Sequence, residues 1–237
     1  MTTPQPAKVC LILGMHRSGT SCLTGSLQQA GLDLGEHSTW NLHNKKGNRE
    51  NQEIVDFHEW VLRGNYGSWD NPPKRIKWTD ENFERARSIL ASHAGKPVWG
   101  FKDPRCLLMV DNWRQIIERL LLIGIFRHPY LVAQSINKRG SGVISIEHGL
   151  RLWFHYNKKL IAAHKKQPFP LVFFDDDQER FRSQVRLAIN ELGLHELGQE
   201  MNFYTEELVS NKLSEHTPRL PLKIQLLFNK LKKIAIQ

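Results

Sequence analysis

Several features that define other protein classes are scarce in this chain. Its three cysteines, Cys10, Cys22 and Cys106, are odd in number and far apart, which argues against a disulfide framework and against a zinc site. The eleven histidines form no H-E-x-x-H pair and no Cys/His cluster, so no metal site is expected. No apolar run approaches the ~18 residues that a spanning helix needs, and the polar, proline-bearing residues 1–8 lack a signal-peptide pattern. A cytoplasmic, soluble protein is the expectation. Acidic residues are also short, 24 against 33 Lys and Arg, for a net charge of +9. That balance suits nucleic acid, a membrane surface or a polyanionic small molecule, and charge alone does not choose among them.

The 237 residues suit a single domain, with a core over about 8–195 and a helical tail over about 196–237. Residues 8–13 read as a short buried strand running into a glycine-bearing loop. A helix follows, with Leu23, Leu27 and Ala30 on one face and Gly31 as its stop. A second helix is predicted from about Glu50 to Arg63, striped by Ile54, Phe57 and Val61, and a third is capped by Thr79. Further short strands are predicted at 98–101, 121–126 and 171–174, with helices starting at Pro129 and spanning 146–166 and 178–192. Short apolar strands alternating with helices predict an α/β fold. Its form is a three-layer α/β/α stack with a central, mainly parallel sheet, whose ligands bind beyond the carboxyl ends of the strands.

Three chemically loaded segments fall at that edge. Gly14-Met15-His16-Arg17-Ser18-Gly19-Thr20-Ser21 has the spacing of a phosphate-binding loop, but Thr20 stands where an NTPase carries lysine. Glycines let the backbone curl, and consecutive N–H groups at a helix N-terminus point at an anion. Without the lysine the loop is ill equipped for γ-phosphate and magnesium chemistry, yet it suits a smaller anion. Arg127, followed by Pro129 and Ser135, makes a second anion-binding element, since a strand-end guanidinium can fork onto a phosphate. The third segment is Lys102-Asp103-Pro104-Arg105. Two anion elements at one edge suit a nucleoside with phosphate at both ends.

On these residues the chain resembles the sulfotransferases that use 3′-phosphoadenosine-5′-phosphosulfate (PAPS), in particular bacterial members. Residues 14–21 look like the family's 5′-phosphosulfate loop, and Phe126-Arg127-His128-Pro129-Tyr130-Leu131-Val132-Ala133-Gln134-Ser135 looks like its 3′-phosphate motif. Lys102-Asp103-Pro104-Arg105 and Gly47-Asn48-Arg49-Glu50 are similar to family segments too, although the family usually has aromatic residues where Asn48 and Arg49 stand. The resemblance implies a P-loop nucleoside-kinase-like sulfotransferase fold and an enzyme moving a sulfuryl group from PAPS to a hydroxyl or amine, without need of a metal. It implies donor binding by His16, Arg17, Ser18, Gly19, Thr20, Ser21, Arg127 and Ser135. Glu50 is the first candidate for the base, Lys102 for stabilising the leaving oxygen, and Asp103 and His16 are alternative bases, Asp103 also suiting a salt bridge to Lys102 or Arg105.

Two other readings predict different features. A small-molecule kinase of related fold predicts a lysine at position 20. A non-catalytic nucleic-acid-binding protein predicts a clustered basic face with exposed aromatics, whereas here the basic motif residues sit at strand ends beside glycine and proline. Asp175-Asp176-Asp177 reads as a helix cap rather than a magnesium site. Residues 220–237 carry Lys223, Lys230, Lys232 and Lys233 between leucines. They read as a docked terminal helix with its lysines in water, or as a surface for membrane or an acidic partner. Residues 36–49 and 64–78, with Trp40, Tyr66, Trp69 and Trp78, are expected on the acceptor side.

Overall fold

The computed structural model describes residues 4–40, 47–140, 142–174, 177–194, 213–214 and 217–236. Its centre is β1 (Val9–Leu13), five apolar residues buried on both faces. β2 (Trp99–Lys102) and β3 (Leu120–Arg127) flank it, and β4 (Leu171–Phe174) extends the sheet in the order β2-β1-β3-β4. Every pairing is parallel, with Ile12 opposite both Lys102 and Ile123, and Arg127 opposite Phe174. The sheet is therefore wholly parallel among the described residues.

Successive strand residues point to opposite faces, and the core divides accordingly. Val9, Leu11 and Leu13 join one cluster with Trp99, Phe101 and Phe126. Cys10 and Ile12 join the other, under α1 (Thr20–Gln29) and α7 (Gln178–Leu192), with Leu23, Leu27, Phe181 and Val185. The first face is covered by α2 (Gln52–Gly64), α3 (Asp80–Ser92), α4 (Cys106–Trp113), α5 (Pro129–Arg139) and α6 (Ile146–Lys166). A last helix, α8 (Leu222–Ile234), joins them. This is the expected three-layer α/β/α stack.

Local signals explain most of the boundaries. Thr79 and Asn82 form a reciprocal capping box on α3, Ser145 caps α6, and Asp177 accepts the Arg180 N–H to cap α7. Asp175 and Asp176 lie outside the described residues, as does most of the predicted tail before α8. Two elements differ from expectation. α2 starts at Gln52 because the Asn51 side chain accepts the Ile54 N–H, so Glu50 precedes the helix instead of riding its first turn. α4 shows no amphipathic stripe, since Cys106 through Val110 are all buried and its only polar residues, Asp111 and Asn112, adjoin each other near its end.

α8 docks as a terminal helix. Ile224, Phe228 and Leu231 are buried, with the Phe228 ring edge-on to Trp153 and Phe126, while Lys223, Lys230 and Lys233 stay exposed. No described helix is long and apolar enough to cross a membrane. Phe228→Ala removes the aromatic that ties α8 to the core, and it is expected to destabilise the fold by about 3–5 kcal/mol in urea denaturation. A loss under ~1 kcal/mol would mean that α8 rests on the surface without contributing to the core.

Candidate active site

The site grows from the end of β1. Beyond Leu13 the chain turns through Arg17, at φ 67°, and Gly19, at φ 88°. Gly19 serves as the N-cap of α1 without a side-chain cap, so the first-turn N–H groups are left for an anion. A side chain at Gly19 would also collide with Phe174, whose ring carbon would lie 2.5 Å from the new Cβ. The Ser18 hydroxyl is buried with no hydrogen-bond partner among the described residues.

The second anion element meets the first directly. Arg127 is the last residue of β3 and is buried, with its guanidinium 5.3 Å from the centre of the Phe174 ring. Ser135 lies on α5, and Arg17 Nε donates to its Oγ at 2.8 Å. Burial lowers the pKa of Arg17 to about 10, and the positive charges of Arg139 and Arg127 push it the same way. The guanidinium stays protonated at neutral pH. Three arginines crowding one space is an arrangement that a bound polyanion relieves.

Beside them lie the two residues expected to do chemistry. Lys102, the last residue of β2, is buried, and its Nζ donates to Glu50 Oε1 at 2.7 Å and to Ser21 Oγ at 3.4 Å. Ser21 Oγ in turn donates to the Asn48 carbonyl at 3.1 Å. Glu50 is held from its own backbone, where its carbonyl accepts the Ser38 N–H at 2.9 Å and its N–H reaches Ser38 Oγ at 3.3 Å. Sequence reasoning gave Glu50 and Lys102 separate roles; the fold brings them together as an ion pair.

Asp103 is placed otherwise. It is fully buried, and Oδ2 accepts from His58 Nδ1 at 2.8 Å while Oδ1 accepts from the Arg105 N–H at 3.0 Å and from Arg105 Nη1 at 2.9 Å. Trp113 Nε1 donates to His58 Nε2 at 3.0 Å. An indole N–H only donates, so Nε2 must accept, and the contact is a neutral imidazole with its proton on Nδ1 facing a carboxylate. Burial alone would raise the pKa of Asp103. The His58 hydrogen bond and the charge and hydrogen bonds of Arg105 overcome this and hold it below the usual carboxylate range. Fully buried and bonded at both oxygens, Asp103 orients Arg105 and does not line the cavity described below. Arg105 Nη2 donates to Glu59 Oε1 at 2.8 Å, which leaves its buried Nε without a partner among the described residues.

A cavity of about 300 Å³ lies between the loop and the Glu50–Lys102 pair, and Ser18, Arg127 and Ser135 are not among its lining residues. Arg17, Thr20 and Ser21 from the loop line it together with Asn48, Glu50, Lys102 and Arg105, and Arg139 and Trp69 stand on its other sides. His16 also lines it, packed on the Trp69 ring at 4.6 Å between centroids. Burial, and next the charge of Arg105, pushes its pKa down to about 3, so it is neutral at physiological pH and a weak base. Of the four loop aromatics only Trp69 lines this cavity. Trp78 is in the core, and Tyr66 and Trp40 point to solvent at 97% and 66% exposure.

His58 was not singled out from the sequence, although a signal existed. It falls on the buried stripe of α2, four residues after Ile54 and three before Val61.

No protein-family model matches the chain, and no curated protein matches it in sequence. Solved structures do share its fold. The sulfotransferase domain from the Synechococcus PCC 7002 olefin synthase superposes with a TM-score of 0.57 at 16% identity, covering 98% of this chain and 96% of its own. The sulfotransferase domain from the curacin biosynthetic pathway gives 0.52 at 14%, covering 97% and 98%. The chain therefore has the α/β fold of sulfotransferase domains, aligned over nearly its whole length.

The low pKa of His16 has a measurable consequence. Its folded value, about 3, lies below the ordinary 6.5, so the unfolded chain binds the extra proton first. The contribution of the neutral ring to stability is complete above pH 6.5 and is lost as pH falls from there toward about 3. Denaturation midpoints across that window should fall more steeply for the parent chain than for His16→Gln. Parallel profiles would show that the ring is solvated.

Proposed function

We propose that this protein is a sulfotransferase that moves a sulfuryl group from PAPS to a hydroxyl or amine. The observation that carries this reading is the Arg17–Ser135 hydrogen bond. It joins the phosphate loop to the second anion element within reach of one bisphosphorylated nucleoside, with the Lys102–Glu50 pair alongside.

The residues present fit such a donor. The α1 N-terminus, Arg17, the unpartnered Ser18 hydroxyl, Thr20 and Ser21 would hold its 5′-phosphosulfate, and Arg127 with Ser135 its 3′-phosphate. The donor, when bound, supplies the sulfuryl group and a phosphate leaving group. A bond forms between sulfur and the acceptor oxygen or nitrogen, and the bond from sulfur to the bridging phosphate oxygen breaks. Glu50 takes the acceptor's proton. Lys102 offers positive charge to the bridging oxygen, which leaves with the electron pair on 3′-phosphoadenosine-5′-phosphate (PAP). The ion pair sets the two side chains next to each other on the cavity wall. Asp103 has a supporting part, keeping Arg105 against the cavity wall.

Calorimetric titration with PAP, against ATP with magnesium, tests the donor. PAP should bind without metal, and Arg17→Ala and Arg127→Ala should each weaken it by about 1.5–3 kcal/mol, the range for losing a charge-assisted hydrogen bond. Glu50→Gln should bind PAP as the parent does and lose turnover. Failure to bind PAP overturns the reading, and magnesium-dependent binding of ATP would favour a kinase.

A further inference from the structure

Helix α8 carries two leucines where a helix docked on a core normally turns polar residues to water. Its buried side chains, Ile224, Phe228 and Leu231, face the core. At about 3.6 residues per turn, Leu222, Leu226, Asn229, Lys230 and Lys233 fall on the opposite side, and all five are exposed. Leu222 is 75% exposed and Leu226, one turn on, is 60% exposed. A lone exposed leucine needs no explanation, but a neighbouring pair on the outermost ridge of a helix is apolar surface held out for contact.

The charge along this ridge has one sign. No Asp or Glu occurs from His216 to Gln237, while Lys223, Lys230, Lys232 and Lys233 all lie on α8. Lys223 Nζ is 5.7 Å from the centre of the Phe154 ring on α6, and Lys232 Nζ is 4.9 Å from that of Phe228. Lys230 and Lys233 stand beside the leucines. The ridge thus has an apolar half, toward the start of α8, and a cationic half, toward its end.

We propose that this ridge docks on an anionic phospholipid surface, its leucines entering the headgroup region and its lysines facing lipid phosphates and carboxylates. Its composition chooses a bilayer over an acidic protein. Protein interfaces centre on Trp, Tyr and Arg and are depleted in Lys, whereas this ridge offers lysine and leucine with no aromatic and no arginine. A helix ridge also presents no cleft to fit a partner's shape, and a fluid surface needs none. Phe228 against Trp153, and the Ile236 N–H bonded to the Leu171 carbonyl at 2.9 Å, hold the helix formed before contact. The chain has an acidic surface of its own, Glu53, Asp56, Glu81 and Glu84 between α2 and α3. A second copy docked there through α8 would be joined head to tail, building rings or filaments.

Co-sedimentation of the full chain with vesicles tests this. Vesicles of phosphatidylcholine with about one-third phosphatidylserine should bind it, and phosphatidylcholine alone roughly tenfold more weakly, at about 0.1 M salt. Lys230→Gln with Lys233→Gln should lower partitioning roughly thirtyfold, about fivefold for each lysine. Leu222→Ser with Leu226→Ser should lower it roughly tenfold at unchanged net charge. Arg85→Gln with Arg87→Gln is the control, removing the same charge from α3. That helix lies toward the other edge of the sheet, where His93 at its end stacks on Trp99 of β2 at 4.0 Å, and its variant should bind within about twofold of the parent. All six side chains are exposed, so the variants should fold, and equal denaturation midpoints check this. No binding to the anionic vesicles, no effect of the leucine pair, or an equal loss in the α3 control would each overturn the inference. Binding to soluble polyglutamate in place of vesicles would overturn it in favour of an acidic protein. Mass that grows with concentration and is lost in the lysine variant would overturn it in favour of a second copy. The donor reading stands or falls separately, on the PAP titration.

Discussion

The site depends on the register of one strand. β1 pairs in parallel with β2 on one side and β3 on the other, so all three chains leave the sheet at the same edge. β1 delivers the phosphate loop, β2 delivers Lys102 and the buried Asp103, and β3 delivers Arg127. A parallel sheet covered on both faces permits little else, because its strands are apolar throughout and only their carboxyl ends can carry polar groups to a common opening. The helices then act as spacers. α5 lifts Ser135 back to Arg17, and the residues just ahead of α2 bring Glu50 to Lys102.

Charge is treated in two ways within a short distance. Around Asp103 the charges are matched: His58 faces one oxygen, Arg105 the other, and Glu59 holds the far side of the guanidinium. A carboxylate so deeply buried persists only with such matching. Around Arg17 the neighbouring charges that act on it are positive, and the α1 N-terminus adds its dipole. One cluster makes a rigid wall; the other keeps a surplus of positive charge. Local arrangements that oppose stability while the surrounding fold is consistent are expected at functional sites.

Much of this was legible from residue order. The loop over 14–21 shows itself because its turn demands glycine at a positive φ and its donors stand side by side, both local features. Helices with one wet face show their period, and capping residues such as Thr79 and Ser145 mark where they start. α4 escaped because its first five residues are buried all round and show no period. Glu50 was placed two residues too deep because the choice of Asn51 as the cap rests on a hydrogen bond that composition around 50–52 does not single out. His58 was visible as a histidine on an apolar stripe, but its partners are 45 and 55 residues away.

Residue order by itself determined the α/β/α architecture, the glycine loop and basic residues at the strand ends and the candidate groups for chemistry, since each follows from periodicity or from side-chain type over a few residues. Only the tertiary structure decided which of those groups meet. It paired Glu50 with Lys102, turned Asp103 away from the cavity toward His58 and Arg105, and chose Trp69 from four loop aromatics as the one on the cavity wall. The reason is physical: burial, hydrogen-bond partners and the charges that set a pKa belong to contacts between distant segments, and those contacts exist only once the sheet has brought its edges together.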